Sequence, residues 1–241
     1  MLLSVNVKSE TQENRSFIEI EQIDELVLLD EVLFDLVSSG LSTIDYKKTH
    51  ANLLSIQPSV LTYRSEQQAF YWFNLAVCSR QLHLSSDQVM PHIEKALSFT
   101  PDVNAQQHFK IIIKAIDLAT DYQQYYLLIS YIEQLRELTK NELDPLTLRL
   151  PEKYETLNAR AHYETGQLAE AELYFTLLID EAEKNHSPHN VNWYTLLGAI
   201  HQIHKDTDKE VSVLRKQLAL FPSDNRKKYL ASLQNVTANN N

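Results

Sequence analysis

Glycine is almost missing from this chain: Gly40, Gly166 and Gly198 are the only three among 241 residues. So small a supply leaves almost nothing for β-turns or for the backbone cradles that bind phosphate, and it points to a protein that is nearly all helix. The single cysteine, Cys78, excludes an internal disulfide and favours a reducing compartment. Within Leu75-Ala-Val-Cys it reads as a small buried hydrophobe. No segment approaches the ~20 consecutive apolar residues of a membrane span. Met1 to Arg15 lacks the apolar run after basic residues that a signal peptide needs, so direct membrane insertion is not expected and the expected location is cytoplasmic. Basic residues are the minority, 22 Lys and Arg against 32 Asp and Glu, a net charge of −10 that disfavours nucleic acid as a partner. Also missing are a Gly-rich phosphate loop, a nucleophile elbow and any paired acid-base motif, so no catalytic residue or cofactor is assigned and no enzyme is expected.

What is present is periodic. Trp72-Phe-Asn-Leu-Ala and Trp193-Tyr-Thr-Leu-Leu each lead through a helix-turn-helix pattern to a proline 29 positions later, Pro101 and Pro222. A third copy, Leu157 to Phe175, places Gly166 in its turn and Ala171 and Phe175 after it. These residues resemble the tetratricopeptide repeat (TPR) family, whose helix A carries an aromatic and a Leu-small pair, whose turn carries Gly, and whose helix B carries Ala and an aromatic before a closing Pro. The resemblance implies an all-α fold, a right-handed α-solenoid of TPR-like helix-turn-helix pairs, with a protein-binding role. Asn192 to Phe221-Pro222 and the aromatic-Leu stretch beyond it are also, more weakly, similar to bacterial TPR proteins associated with TonB-type systems.

Four segments follow. Residues 1–16 form a polar, flexible lead; 17–64 an acidic helical cap, with Ile18 to Val37 ended by Ser-Ser-Gly40; 65–234 the repeat array; and 235–241 a frayed, disordered tail. Between repeats, Thr139 to Pro151 reads as a two-proline connector. Gly166 is expected to fill a tight turn, and Gly198 to allow close approach of a neighbouring backbone.

Counting helix A of each repeat from Ala69, Gln106, Glu152 and Asn190 gives periods of 37, 46 and 38. In the family, the second, fifth, ninth, twelfth and thirteenth positions of a repeat face the ligand. Transferred here, the resemblance implies Phe70, Phe73, Val77, Arg80 and Gln81; then Gln107, Lys110, Lys114, Asp117 and Leu118. The third copy gives Lys153, Thr156, Arg160, Tyr163 and Glu164, and the fourth Val191, Tyr194, Gly198, His201 and Gln202. An acidic protein would thus turn Arg80, Lys110, Lys114, Lys153 and Arg160 toward one face, with Phe73, Tyr163 and Tyr194 as apolar anchors and His201 beside them. Such a face suits an acidic peptide or a C-terminal carboxylate. Of the Lys-Asn-Asn-Lys-Arg set with which some family members clamp chaperone tails, only Asn74 has a counterpart, so chaperone binding is not expected.

His186, His189, His201 and His204 are the one cluster that could carry chemistry, yet no cysteine or carboxylate completes a metal-ligand spacing, and no metal site is assigned. The expected function is a non-enzymatic scaffold or adaptor in a bacterial multiprotein assembly, holding a partner peptide or helix in its concave groove. A peptide-sensing regulatory domain and a histidine-based metal-binding protein are the alternatives.

Overall fold

The computed structural model describes residues 45–56, 65–100, 105–140 and 150–239, and every regular element among them is helical. The ten helices are α1 (Tyr46–Ser55), α2 (Ser65–Gln81), α3 (Ser86–Ser98), α4 (Ala105–Asp121), α5 (Tyr125–Thr139), α6 (Glu152–Glu164), α7 (Leu168–Asn185), α8 (Val191–Ile203), α9 (Thr207–Leu220) and α10 (Asp224–Asn239). The expected acidic helix Ile18 to Val37, Gly40 and most of the two-proline connector lie outside the described residues. Helix α10 runs on through residues 235–239, which the sequence reading gave to a tail.

The chain forms two compact units, Met1–Leu118 and Ala119–Asn241. In the first, α1 packs on α2 and α2 on α3. Leu53, Ile56, Tyr71, Leu75 and Cys78 form one buried cluster of its core, and burial pushes the Cys78 thiol up to about 11, consistent with an unreactive core residue. The Trp72 ring stacks on His92 with centroids 5.6 Å apart, and His50 Nε2 lies 3.1 Å from Ser79 Oγ. In the second unit each helix from α5 to α10 packs on the next, and α6 also meets α8. Adjacent A helices touching across an intervening B helix is the signature of stacked hairpins. Ala159, Ala171, Phe175, Trp193, Tyr194 and Ile200 are central to its core, where the small alanines admit the rings. Trp193 Nε1 donates to Thr156 Oγ1 at 3.1 Å, pinning α8 to α6.

Each A helix turns into its B helix by one and the same device. His83, Gln123, Gly166 and Lys205 all adopt left-handed φ, between 55° and 77°. The amide of each donates three residues back, to Arg80, Thr120, Tyr163 and Gln202, at 2.9–3.2 Å. The next amide donates five residues back, from Leu84 to Ser79, Gln124 to Ala119, Gln167 to His162 and Asp206 to His201, at 2.8–3.1 Å. That pair of bonds is the Schellman motif, which satisfies carbonyls that a helix end leaves open. One turn of four uses the glycine that the sequence reading took as its marker.

These turns correct the repeat register. Fourteen residues separate Ala69 from His83 and Glu152 from Gly166, but seventeen separate Gln106 from Gln123 and fifteen separate Asn190 from Lys205. Measured from the turn, the second repeat begins at Phe109 and the fourth at Val191. Burial agrees: Phe109 is 41% exposed, while Ile111, Ile112, Ala115 and Ile116 are buried.

Candidate functional site

The one-residue shift in the fourth repeat reassigns its ligand-facing positions to Asn192, Thr195, Ala199, Gln202 and Ile203. Asn192, Thr195, Gln202 and Ile203 are exposed and Ala199 is half-buried. Tyr194 and His201 sit in the interior instead, 1% and 4% exposed. The Tyr194 hydroxyl meets His189 Nδ1 at 2.7 Å, and burial, then the charges of Glu183 and Asp180, push it up to about 12. In the third repeat Lys153 and Arg160 are exposed and Tyr163 half-buried. Lys153 Nζ lies 5.3 Å from the centroid of the Tyr154 ring, and Arg160 Nε lies 3.6 Å from Glu164. In the first unit Lys110 is exposed and Phe73, Arg80 and Lys114 are half-buried. Asn74 is turned onto its own helix, its Nδ2 donating to the Phe70 carbonyl at 2.8 Å.

Between α8, α9 and α10, wholly within the second unit, lies a pocket of about 370 Å³. Tyr194, Val213 and Leu214 give it apolar walls, and Gly198 and Ala199 face it from α8. Gly198 was expected to admit a neighbouring backbone, but a Cβ built there meets nothing within 4 Å. Its missing side chain leaves the pocket open instead.

The polar groups of the pocket form a directed chain. Glu210, 7% exposed, accepts from the Tyr229 hydroxyl at 2.5 Å. A carboxylate can only accept, so Tyr229 donates, and its oxygen in turn accepts from Gln202 Nε2 at 3.2 Å. That bond to Glu210, with lesser help from burial and the carboxylate charge, pushes the phenol up to about 12. Gln217 Nε2 donates to the Val191 carbonyl at 3.1 Å and to Thr195 Oγ1 at 2.8 Å. Arg226 stands at the lining with no hydrogen bond or ion pair among the described residues. Sequence reasoning found Tyr194, Gly198 and Gln202, and missed Glu210, Gln217, Arg226 and Tyr229. Those four lie on α9 and α10, outside the helix A positions that the repeat resemblance assigns to a ligand.

The histidines do not converge. His186 takes a left-handed φ of 52° at the end of α7, and His189 is engaged with Tyr194. His201 Nδ1 and His204 Nδ1 approach Glu172 at 3.9 and 3.7 Å, but Lys209 Nζ already holds that carboxylate at 3.0 Å. Among the described residues no group of three or more His, Cys, Asp or Glu is disposed to hold a metal ion. Nor among them is any helix long and apolar enough to cross a membrane.

No protein-family model matches the chain, and no curated protein does either. Solved structures match its fold. YrrB, described as a TPR protein with an unusual peptide-binding site, superposes with a TM-score of 0.53 at 13% identity, over 91% of this chain and 97% of that one. A Podosopora anserina putative kinesin light chain with nearly identical TPR-like repeats gives 0.52 at 11% identity, over 80% and 93%. The apo form of RapI gives 0.50 at 11% identity, over 87% and 74%. The fold is therefore that of the TPR-like helical solenoids. These likenesses do not bear on the TonB-system resemblance.

Proposed function

We propose that the protein is a non-catalytic interaction scaffold, a cytoplasmic adaptor in a bacterial multiprotein assembly. It holds a segment of a partner protein along the exposed helix A face of its second unit. The observation that carries this reading is the pocket of about 370 Å³ opening where the fourth repeat's ligand-facing positions lie, with Thr195, Ala199 and Gln202 among its lining. The fold supports it: stacked hairpins present broad surfaces and few enclosed sites, and YrrB, of the same fold, is described by its peptide-binding site. On α6, Lys153 and Arg160 offer exposed positive charge to acidic residues of the segment, with Tyr163 beside them as an apolar contact. Phe73, Arg80 and Lys110 would serve the first unit in the same way, whereas the register that starts the second repeat at Phe109 takes Lys114 to its sixth position, off that face.

Isothermal titration against the partner recovered by pull-down tests this. Reversing Lys153 and Arg160 to Glu should weaken binding and reduce its salt dependence. The thermal midpoint should barely move, because both side chains are exposed and the Arg160 to Glu164 pair is of the surface kind that contributes little. Equal affinity in wild type and double variant would remove α6 from the site.

A further inference from the structure

Apart from the Arg226 guanidinium at its lining, the hydrogen-bonding capacity left over in the α8, α9 and α10 pocket is mainly that of acceptors. Both Gln217 Nε2 contacts go to acceptors, which fixes the orientation of its amide and leaves Gln217 Oε1 with no donor among the described residues. The chain of donors through Tyr229 likewise orients the Gln202 amide, engaging one N–H of Nε2 and leaving Gln202 Oε1. Glu210 has one oxygen held by Tyr229, and among the described residues no hydrogen bond or ion pair engages the other. Beside Arg226, the unmet groups are three acceptors, one of them the second carboxylate oxygen of Glu210, a residue 7% exposed that lines the pocket. At Glu210, Gln202 and Gln217 a carboxylate or phosphate would bring acceptor to acceptor, with Arg226 alone to receive it, whereas an ammonium or guanidinium brings donors to all three. Beside these groups stand the Tyr194 ring, Val213 and Leu214, the surface on which the methylene stem of a long basic side chain packs while its head reaches a charge.

We infer that this pocket takes a lysine or arginine side chain from the partner segment, with its stem against Tyr194, Val213 and Leu214 and its cation on Glu210. The inference deepens the scaffold reading and rests on it. The segment would then have mixed charge, acidic where it passes Lys153 and Arg160 and basic at the pocket. A net charge of −10 draws such a residue in from solution. Arg226, at the lining and without a counter-charge among the described residues, is the one cation that opposes it.

The test uses the full isotopically labelled chain and four capped alanine-rich pentapeptides with arginine, lysine, norleucine or glutamate at the centre. The readout is the amide shifts of Gly198, Gln202 and Arg226 at the pocket and of Lys153 and Arg160 on α6. Arginine and lysine peptides should produce saturable shifts; norleucine and glutamate peptides should not. Glu210→Gln keeps an acceptor for Tyr229 but removes the charge, and should weaken arginine-peptide binding by roughly tenfold or more. Gly198→Leu should fill the open space beside α8 and abolish binding, with the circular dichroism spectrum unchanged in both variants. Arg226→Ala should tighten it. Norleucine binding as well as lysine would show a merely apolar pocket, and Arg226→Ala weakening the arginine peptide would show that Arg226 helps to hold the ligand. Either overturns the inference. So would silence at the pocket with the arginine peptide at millimolar concentration. Glutamate-peptide shifts on α6 alone would sink the pocket and leave the scaffold standing; if no peptide perturbs either surface, both readings fall.

Discussion

Lys205, Gln123 and His83 hold a backbone conformation in which a Cβ crowds the following carbonyl, at a cost of roughly 1–2 kcal/mol relative to a right-handed position. Glycine relieves the crowding but gives back part of the gain through the greater freedom of its unfolded chain. Lys205→Gly, His83→Gly and Gln123→Gly are therefore each expected to raise unfolding free energy by about 0.5–1 kcal/mol, and Gly166→Ala to lower it by a similar amount. Urea denaturation followed by circular dichroism measures all four, and a destabilised Lys205→Gly would contradict the turn geometry. The same residues explain what could be read from the sequence. Gly166 announced its turn because a positive φ selects glycine. The other three turns were not legible as left-handed, since their bonds run between backbone groups and leave no residue type behind. The site suffered the same way: a helix advances 100° per residue, so placing the fourth repeat one residue early exchanged exposed Thr195 for buried Tyr194. Glu210 and Tyr229 come together from two helices, and no spacing in the chain records their meeting.

Between elements, the join from α5 to α6 rests on one carboxylate. Glu155 on α6 receives Arg136 Nη2 of α5 at 3.0 and 3.2 Å and the Leu150 amide at 2.8 Å, with its side chain 7% exposed. Arg136 is also paired with Glu133. Glu155 thus ties the start of α6 to the last turns of α5 across the connector that the sequence reading could describe only by its prolines. Removing it strands both an inward-facing guanidinium and a buried amide. Glu155→Ala should cost about 2–4 kcal/mol of unfolding free energy, and Glu155→Gln less, because an amide oxygen can still accept from Leu150. Equal midpoints for Glu155→Ala and wild type in urea would show that the pair contributes nothing net.

Across the whole molecule, four histidines share one response to acid. His50, His92, His108 and His201 each have a pKa lowered by burial, His92 further by the facing His50, while Glu172 partly opposes the shift at His201. A histidine whose folded-state pKa lies below its unfolded one binds fewer protons in the fold. The stability it contributes is complete above the unfolded value, about 6.5, and is lost as pH falls through that value toward the folded one. The urea midpoint should therefore be lower at about pH 5.5 than at about pH 7.5. The His50→Gln, His92→Gln double variant should show a shallower slope, while His108 and His201 keep the slope from vanishing. A flat profile in wild type would mean that these rings are solvated. A different consequence follows from the four shared turns. Because their bonds join backbone to backbone, mutation can rewrite the side chains around a hairpin while the hairpin keeps its shape. One hairpin geometry is therefore open to sequences with little else in common. The fold of this chain overlays on 97% of YrrB, with which it shares only 13% of its residues.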